Sequence, residues 1–314
     1  MKKTVIIIGS RGSELALWQS NFVKKELEKI NKNISIEIRV IKTKGDKILD
    51  VALSKIGDKS LFTKELETEL LNKSIDIAVH SLKDLQTKIP VGLVLGAVTK
   101  RYAVEDVLIA RKKGVTINNI RDNAIIGTGS LRRRSQILHL RPDIKIEEIR
   151  GNVPSRVEKF LKSKWDGIIL ARAGIERLKL NKFISSVIDK DDILPAVSQG
   201  ALGIEVHKDN EYVLEILNSI HDTNTHIAIS AERELLRTLE GGCQVPIGAF
   251  AEVKSNGLYL ESYVGTVDGS LSFRSKLKGS KSNPEKLGNQ LAKNLIKAGA
   301  KEILDDVYNN MRNK

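Results

Sequence analysis

The sequence predicts an α/β protein whose carboxyl-terminal third is a separate α+β region. Over the first two thirds, apolar runs that indicate buried strands alternate with helical spacing, and this alternation favours a mostly parallel sheet covered by helices. In the last third, three strand patterns follow one another without an intervening helix, which is typical of an antiparallel meander. At about 150 residues per domain, a chain of 314 residues is long enough for two or three domains.

Each element of the first region follows from the spacing of its apolar residues. Alternation with a period of two indicates strands, whereas apolar residues three and four apart indicate helices. The predicted strands are residues 5–8, 34–40, 75–79 and 92–98, and the predicted helices are 13–30 and 62–71.

The same rules define the second and third regions. In the second region the predicted strands are 107–110, 124–126, 144–149 and 167–171, and the predicted helices are 131–140, 153–163 and 174–178. In the third region the predicted helices are 211–220 and 225–239, the predicted strands are 247–253, 258–264 and 271–277, and a long amphipathic segment covers 284–311.

The charge of the chain indicates an anionic ligand more than a nucleic acid. The formal net charge is +13, and eight arginines fall within one short stretch, at positions 132, 133, 134, 141, 150, 156, 172 and 177. Arginine binds carboxylate or phosphate through two parallel hydrogen bonds, so clustered arginine favours an anionic small molecule. Nucleic-acid binding is the weaker interpretation, because aromatic residues make up only 4% of the chain and it has no recognisable nucleic-acid motif.

Cellular location and metal content follow from composition. A single cysteine excludes an internal disulfide and a cysteine zinc site, and it fits a reducing compartment. The histidines show no metal-ligand spacing, so we expect no metal. No apolar run approaches the roughly 20 residues of a membrane span. We therefore expect a soluble, cytoplasmic protein without a membrane partner.

Two turns in the sequence resemble each other. Gly9–Ser13 and Gly127–Leu131 each follow a predicted strand, open a predicted helix and contain glycine with hydroxyl side chains. Free backbone N–H groups and the helix dipole favour an anion at such a place. Alternatively, Ser13 and Ser130 only cap their helices. Neither turn matches a dinucleotide fingerprint or a P-loop, and their repetition suggests two related domains.

Arginines occur at the carboxyl ends of several predicted strands, where ligands bind in open α/β sheets. Arg132, Arg133 and Arg134 lie in a first helical turn, where each cation opposes the helix dipole by about 0.3–1 kcal/mol. A bound polyanion would offset this cost, and the alternative is a solvated arginine run. Arg11 and Arg150 lie in the turns that end two other strands.

The segment His80–Asp84 follows a predicted strand at the same edge and carries a hydroxyl, an amine and a carboxylate. A partly buried carboxylate beside cations can exchange protons with a substrate, so Asp84 is a candidate general acid or base. The alternative is an aspartate that only caps a turn. His80 is interpreted as a packed residue at the strand end.

Cys243 lies in a turn, after Gly241 and Gly242 and before Gln244-Val245-Pro246. A turn exposes a side chain, and a reactive thiolate needs such access. The alternative is a buried apolar side chain, since free cysteine is among the most buried residue types.

These motifs together resemble the hydroxymethylbilane synthase family, also called porphobilinogen deaminase. Seven segments carry the resemblance, in the order that the family has them. They are Thr43-Lys44-Gly45-Asp46, Leu61-Phe62-Thr63-Lys64-Glu65-Leu66, His80-Ser81-Leu82-Lys83-Asp84, Gly127-Thr128-Gly129-Ser130-Leu131-Arg132-Arg133, Arg150-Gly151-Asn152-Val153, Ser198-Gln199-Gly200-Ala201-Leu202-Gly203 and Glu240-Gly241-Gly242-Cys243.

The resemblance implies a fold of three domains. Two α/β domains of the periplasmic-binding-protein type (type II) face a cleft, and a carboxyl-terminal α+β domain with a three-stranded antiparallel sheet carries the cysteine. Domain 1 would comprise residues 1–99 and 200–220, domain 2 residues 100–199, and domain 3 residues 221–314. The family resemblance also suggests a monomer.

The resemblance also implies the chemistry. Cys243 would form a thioether to a dipyrromethane cofactor made from two porphobilinogen units. Four further porphobilinogens would be added head to tail, each with release of ammonia, before water releases the linear tetrapyrrole hydroxymethylbilane. Asp84 would face pyrrole N–H groups, stabilise the cation left when ammonia departs and assist proton transfers, together with Lys83.

The family's functional residues carry over to this chain as follows. Implied cofactor-binding residues are Cys243, Lys83, Ser81, Asp84, Thr128, Ser130, Arg132, Arg133 and Gly151. Implied substrate-binding residues are Arg11, Ser13, Gln19, Phe62, Arg150, Arg156, Arg177 and Gln199. Lys55 and Lys59 resemble loop residues of the cleft, and Gln86, Asp58 and Pro154 depart from the family's pattern. The rival interpretation is a non-catalytic anion-binding protein with the same two domains.

Overall fold

The structure, a computed structural model, describes residues 4–47, 62–239 and 245–312. It divides into two compact units. The first unit contains Met1–Leu49, Asp58–Tyr102 and Gly200–His226, and the second contains Asp50–Gly57, Ala103–Gln199 and Ile227–Lys314. The division into three domains stays a prediction.

Strands and helices alternate through the first two thirds of the described chain. From residue 4 to 98 they are β1 (Thr4–Ser10), α1 (Glu14–Ile30), β2 (Ile34–Val40), α2 (Lys44–Lys47), α3 (Lys64–Leu71), β3 (Ile77–Ser81), a 3-10 turn at Leu82–Asp84, and β4 (Leu93–Val98). From residue 106 to 188 they are β5 (Asp106–Ala110), β6 (Ile125–Gly127), α4 (Leu131–Leu140), β7 (Lys145–Glu147), α5 (Val153–Lys162), β8 (Gly167–Ala171), α6 (Arg172–Arg177) and β9 (Ser186–Ile188).

The remaining elements complete the first unit and form the carboxyl-terminal part. They are β10 (Leu202–His207), α7 (Glu211–Leu217), α8 (Thr223–Thr238), β11 (Ile247–Lys254), β12 (Gly257–Gly265), β13 (Ser272–Gly279), α9 (Pro284–Leu295), a wider helical turn at Ile296–Ala300, and α10 (Lys301–Arg312).

The sheet of the first unit has the order β2-β1-β3-β10-β4. Strand β1 is parallel to β2 and β3, whereas β10 is antiparallel to both of its neighbours. The core beneath α1 is built from β-branched side chains, among them Ile6, Ile8, Ile36 and Ile77, all at most 1% exposed. Such side chains pack well on a pleated surface, which is why these segments form strands.

The second unit contains a sheet with the same arrangement, β7-β6-β8-β5-β9. Strand β6 is parallel to β7 and β8, and β5 is antiparallel to β8 and β9. In both sheets a strand from a distant part of the chain lies at the fourth position. The predicted fold class, two periplasmic-binding-protein-like α/β sheets, is therefore confirmed, and the two similar turns follow the equivalent strands β1 and β6.

The carboxyl-terminal part contains the predicted antiparallel meander, β11-β12-β13, packed against α9. The long amphipathic segment is helical but is interrupted at Gly299, which has a φ of 110°. A residue at such a φ has no place in a continuous right-handed helix, and glycine adopts it at no steric cost.

The sequence did not predict strands β9 and β10. Strand β9 has only three residues, too few to show an alternation of apolar and polar side chains. Strand β10 contains the charged residue Glu205 in a mainly apolar segment. Within the described ranges, none of the helices is both apolar and long enough to cross a membrane.

Candidate cofactor and substrate site

Arg11 lies in the turn between β1 and α1, where its charge already has a partner. Its guanidinium donates to Asp46 (Nη2 to Oδ1, 2.5 Å) and stacks over the Phe62 ring, 4.2 Å from the centroid. Asp46 also accepts the Thr43 hydroxyl at 2.8 Å. Burial raises the pKa of Asp46, but the hydrogen bonds from Arg11 and Thr43 outweigh it and keep the pKa below its ordinary value. The Thr43–Asp46 segment therefore fixes Arg11.

Ser13 caps helix α1, which is the alternative that the sequence analysis gave to anion binding. Its hydroxyl accepts the Ala16 N–H at 3.3 Å, at the start of α1. Ser130 does the same for α4, accepting the Arg133 N–H at 3.5 Å. In the same turn, Thr128 is 4% exposed and its hydroxyl accepts the Ser130 N–H at 3.2 Å. These hydroxyls shape the two turns, and their contact with a ligand stays a prediction.

The Ser81–Asp84 segment ends strand β3. The Gln19 side-chain amide, which is 2% exposed, donates to the Ser81 hydroxyl at 2.6 Å. The Leu82 N–H donates to the Ala201 carbonyl of the neighbouring strand end at 3.1 Å. Lys83 is half-buried and Asp84 is exposed. The expectation of a partly buried Asp84 is therefore wrong, because the 3-10 turn directs Leu82 into the core and leaves Asp84 outside.

His80 is buried behind this segment, as interpreted from the sequence. Its Nε2 lies 2.9 Å from Oε2 of Glu205, and their side chains are 6% and 0% exposed. Burial and the charge of Glu205 raise the pKa of the adjacent Glu67.

Arg132 and Arg133 share one buried carboxylate, Asp106, at the start of β5. Arg132 donates to it at 2.8 Å, and Arg133 donates through two nitrogens at 2.8 and 3.0 Å. Nη1 of Arg132 donates to the backbone carbonyl of Leu194 (2.6 Å), and Nη1 of Arg133 donates to that of Ile169 (2.9 Å). Both guanidiniums are almost fully buried, at 4% and 6% exposure.

This arrangement changes the interpretation of the arginine run. Asp106 offsets one of the two positive charges of Arg132 and Arg133 within the protein, so the buried group keeps a net positive charge that an anionic ligand can offset. Burial alone would raise the pKa of Asp106, but the two arginine charges and their hydrogen bonds hold it far below its ordinary value of 3.8. Arg134 is exposed, as the solvated alternative predicts.

Gln199 belongs to the same buried network. Its side-chain amide donates to the Val104 carbonyl at 2.7 Å and to Oδ1 of Asp106 at 2.9 Å. The sequence indicated Gln199 only through the family motif and did not identify Asp106. Since Asp106 lies far from Arg132 and Gln199 in sequence, no local pattern could connect them.

Gly151 forms the turn that leads into α5, with a φ of 115° that favours glycine. Asn152 caps this helix by accepting the Ser155 N–H at 2.9 Å, and Arg156 donates to the Gly151 carbonyl at 2.7 Å. Pro154 occupies the first helical turn, where proline is well tolerated, so its departure from the family's pattern fits the helix. Arg177 is half-buried at the end of α6.

Several predicted residues lie outside the described residues: Cys243, Lys55, Lys59 and Asp58. The elements that flank Cys243 are described, namely α8 before it and β11 after it.

The fold and these polar groups define an α/β protein with buried arginines at the carboxyl ends of its strands. Comparison with known proteins identifies it further. The family model described as "Porphobilinogen deaminase, dipyromethane cofactor binding domain" matches residues 6–215, and "Porphobilinogen deaminase, C-terminal domain" matches residues 226–297. The chain belongs to the porphobilinogen deaminase family.

Individual relatives agree with this assignment. A porphobilinogen deaminase of Carboxydothermus hydrogenoformans is 50% identical over 307 residues, covering 98% of this chain and 98% of the relative. One of Desulforamulus reducens is 49% identical over 305 residues, covering 97% and 98%. Among solved structures, the methionine-binding protein MetQ has a TM-score of 0.45 at 12% identity, covering 71% of this chain and 92% of that one.

Family membership makes the protein a transferase that acts on porphobilinogen and uses a dipyrromethane cofactor. The described residues fit this cofactor. Nε of Arg132 and Nη1 of Arg150 are buried and have no hydrogen-bond partner among the described residues. A buried charged donor left without an acceptor is costly, and the acetate and propionate groups of a dipyrromethane are suitable acceptors.

The Asp106 network predicts a large effect of neutralising that carboxyl group. Asp106→Asn keeps the shape but leaves two buried guanidiniums without their counter-charge, so we expect the free energy of unfolding at neutral pH to fall by about 3–5 kcal/mol. Denaturant unfolding of the variant and the wild type measures this. Asp122→Asn, at a side chain that is 92% exposed, is the control and should leave stability close to that of the wild type.

The difference in unfolding free energy between the wild type and Asp106→Asn should decrease at low pH. Because folding lowers the pKa of Asp106, its stabilisation is complete above the ordinary value of 3.8 and is lost as the pH falls towards the folded-state pKa. The difference between wild type and Asp106→Asn should be constant from pH 5 to 8 and shrink in stronger acid. A neutral-pH difference close to zero would contradict the assignment.

Proposed function

We propose that this protein assembles hydroxymethylbilane from porphobilinogen on a dipyrromethane held by Cys243. The observation that supports this most directly is the pair of buried arginine nitrogens, on Arg132 and Arg150, that lack acceptors among the described residues. Cys243 is the only cysteine of the chain and hence the only thiol available for a thioether.

The condensation is balanced as follows. In each of four additions, the aminomethyl carbon of a porphobilinogen forms a carbon–carbon bond, its bond to nitrogen breaks, and ammonia leaves as the attacked ring loses a proton. Water then releases the finished tetrapyrrole. When bound, the dipyrromethane supplies the free pyrrole carbon to which the first substrate unit is added.

Asp84 is the proposed catalytic group, with Lys83 beside it. Its carboxylate is exposed, so it is accessible to a substrate. A fixed negative charge stabilises the positive charge that develops as ammonia leaves, in the way that an oxyanion hole stabilises negative charge. The carboxylate can also accept and return the proton that each condensation moves.

The other predicted residues bind acid groups or shape the site. We assign the cofactor to Cys243, Ser81, Lys83, Asp84, Thr128, Ser130, Arg132, Arg133 and Gly151. We assign the substrate to Arg11, Ser13, Gln19, Phe62, Arg150, Arg156, Arg177 and Gln199. Arg133 and Gln199 also hold Asp106, the carboxylate that binds Arg132, and so help to fix the Arg132 guanidinium for an acid group of the cofactor.

The cellular setting belongs to the same proposal. The protein works as a cytoplasmic monomer with porphobilinogen as its small-molecule partner, and it binds neither nucleic acid nor membrane. The non-catalytic anion-binding alternative is not favoured, since relatives at about half identity over nearly the full chain are porphobilinogen deaminases.

Intact mass tests the cofactor attachment. Wild-type protein purified from a host with ample porphobilinogen should carry a covalent dipyrromethane, because the thioether is stable at neutral pH. Cys243→Ala should have its unmodified mass and give no colour with an aldehyde pyrrole reagent. A modified Cys243→Ala protein, or an unmodified wild type, would refute the attachment.

Kinetics test the role of Asp84. Asp84→Asn removes the charge at an exposed position, so the fold and the covalent cofactor should persist while kcat falls roughly 10²- to 10³-fold. Product formation by fully loaded protein measures kcat, and Asp209→Asn, at a side chain that is 64% exposed, is the control. Near-normal kcat in Asp84→Asn would exclude the proposed role.

A further inference from the structure

Glu232 is a buried carboxylate that the proposed chemistry does not use. It lies on α8 and is 0% exposed. One of its oxygens accepts the Ser198 N–H at 2.6 Å, and the other accepts the Ala251 N–H at 2.7 Å. Hydrogen bonds to a charged acceptor are shorter and stronger than neutral ones, so this carboxylate joins three segments of the second unit at one point.

Two of these segments lie on either side of Cys243 in the sequence. Helix α8 ends at Thr238, and β11, which contains Ala251, begins at Ile247. Cys243 lies between them in the sequence. By accepting a hydrogen bond from β11, Glu232 holds together the two described elements that lie on either side of Cys243 in the sequence.

The third segment leads to the arginine pair. Ser198 has a φ of 63°, a left-handed conformation that a non-glycine residue keeps only when its surroundings hold it. The next residue, Gln199, donates to Asp106 at 2.9 Å, and Asp106 binds Arg132 and Arg133. A continuous series of buried hydrogen bonds and backbone links therefore runs from Glu232 to the two guanidiniums.

We infer that Glu232 is a positioning residue for cofactor attachment, which holds α8 and β11, the elements on either side of Cys243 in the sequence, relative to the Arg132–Arg133 pair. This inference rests on the proposed function, in which Cys243 carries the cofactor and the arginines hold its acid groups. For attachment, the thiol must lie at the correct distance from the cofactor whose acid groups the arginines hold. A displacement of the reacting atoms by about 1 Å can lower the rate ~100-fold.

A purely structural role for Glu232 predicts different behaviour. A side chain that only stabilises the fold would lower the melting temperature equally with and without the cofactor and would leave the attachment rate unchanged. A positioning residue instead affects the attachment rate and the increase in melting temperature that the cofactor brings, since that increase reflects how well the folded protein holds its ligand.

The experiment uses the full chain, purified without cofactor from a host that cannot make porphobilinogen. Porphobilinogen is added, and covalent attachment is followed by intact mass. In Glu232→Gln, the amide presents a donor to one of the two backbone N–H groups, so we expect attachment roughly ten- to a hundredfold slower than in the wild type. The increase in melting temperature on loading should also be smaller.

Two further variants complete the design. Glu252→Gln, one residue beyond Ala251 and 51% exposed in a surface pair with Lys254, is the matched control and should behave as the wild type. Glu232→Asp keeps the negative charge on a side chain that is one methylene shorter. This variant should fold even if Glu232→Gln does not, and it should also attach the cofactor more slowly than the wild type.

The outcomes separate the inference from the proposed function. A wild type that attaches nothing at Cys243 refutes the proposed function. A wild type that loads normally, with folded Glu232→Asp or Glu232→Gln loading equally fast, overturns the role of Glu232 alone. Equal losses of melting temperature in loaded and unloaded protein, at an unchanged rate, also overturn it.

Discussion

The shared carboxylate of Asp106 is the interaction on which the site of the second unit depends. Two guanidiniums that are almost fully buried would be strongly destabilising without a counter-charge, and one carboxylate accepts from both. Asp106 begins β5, so its position is fixed by the sheet, while Arg132 and Arg133 enter from the first turn of α4. The pairing thus joins a strand end to a helix start and fixes the direction of each donor. Nε of Arg132 is buried and has no partner among the described residues, which is why we propose that an acid group of the cofactor binds it.

The two α/β sheets have similar turns but differ in how deeply the arginines near those turns are buried. Both place a turn with glycine and hydroxyl side chains after an equivalent strand, and in both a serine caps the following helix. In the first unit, Arg11 is only partly buried and is held by Asp46 and the Phe62 ring. In the second, the arginines are inside the protein. In the proposed function, Arg11 binds acid groups of the substrate, and the buried Arg132–Arg133 pair binds the cofactor, which stays attached.

Local sequence patterns predicted most helices and strands, but they did not predict contacts between residues that are distant in the sequence. The period of the apolar residues located β1, α1 and the meander of β11 to β13, and the similar turns indicated two related domains. The antiparallel pairing of the fourth strand of each sheet did not follow, although a strand was predicted at 107–110, since β5 and β10 pair with strands that are distant in the sequence. Likewise the arginines were found from their clustering, but Asp106 and Glu232 were not. Asp106 and Glu232 are single acidic residues whose partners lie in other helices and strands. No sequence pattern near either residue indicates these contacts, which form only when the chain folds.

We propose that Asp106 orients Arg132 so that its remaining nitrogen, Nε, binds an acid group of the cofactor. An experimental structure of the loaded full-length protein tests this most directly. A carboxylate oxygen of the Cys243-linked dipyrromethane should lie about 2.7–2.9 Å from Nε of Arg132, with Asp106 still bound to both arginines. A cofactor whose acid groups all lie away from Arg132, or an Arg132 that leaves Asp106 on loading, would contradict it.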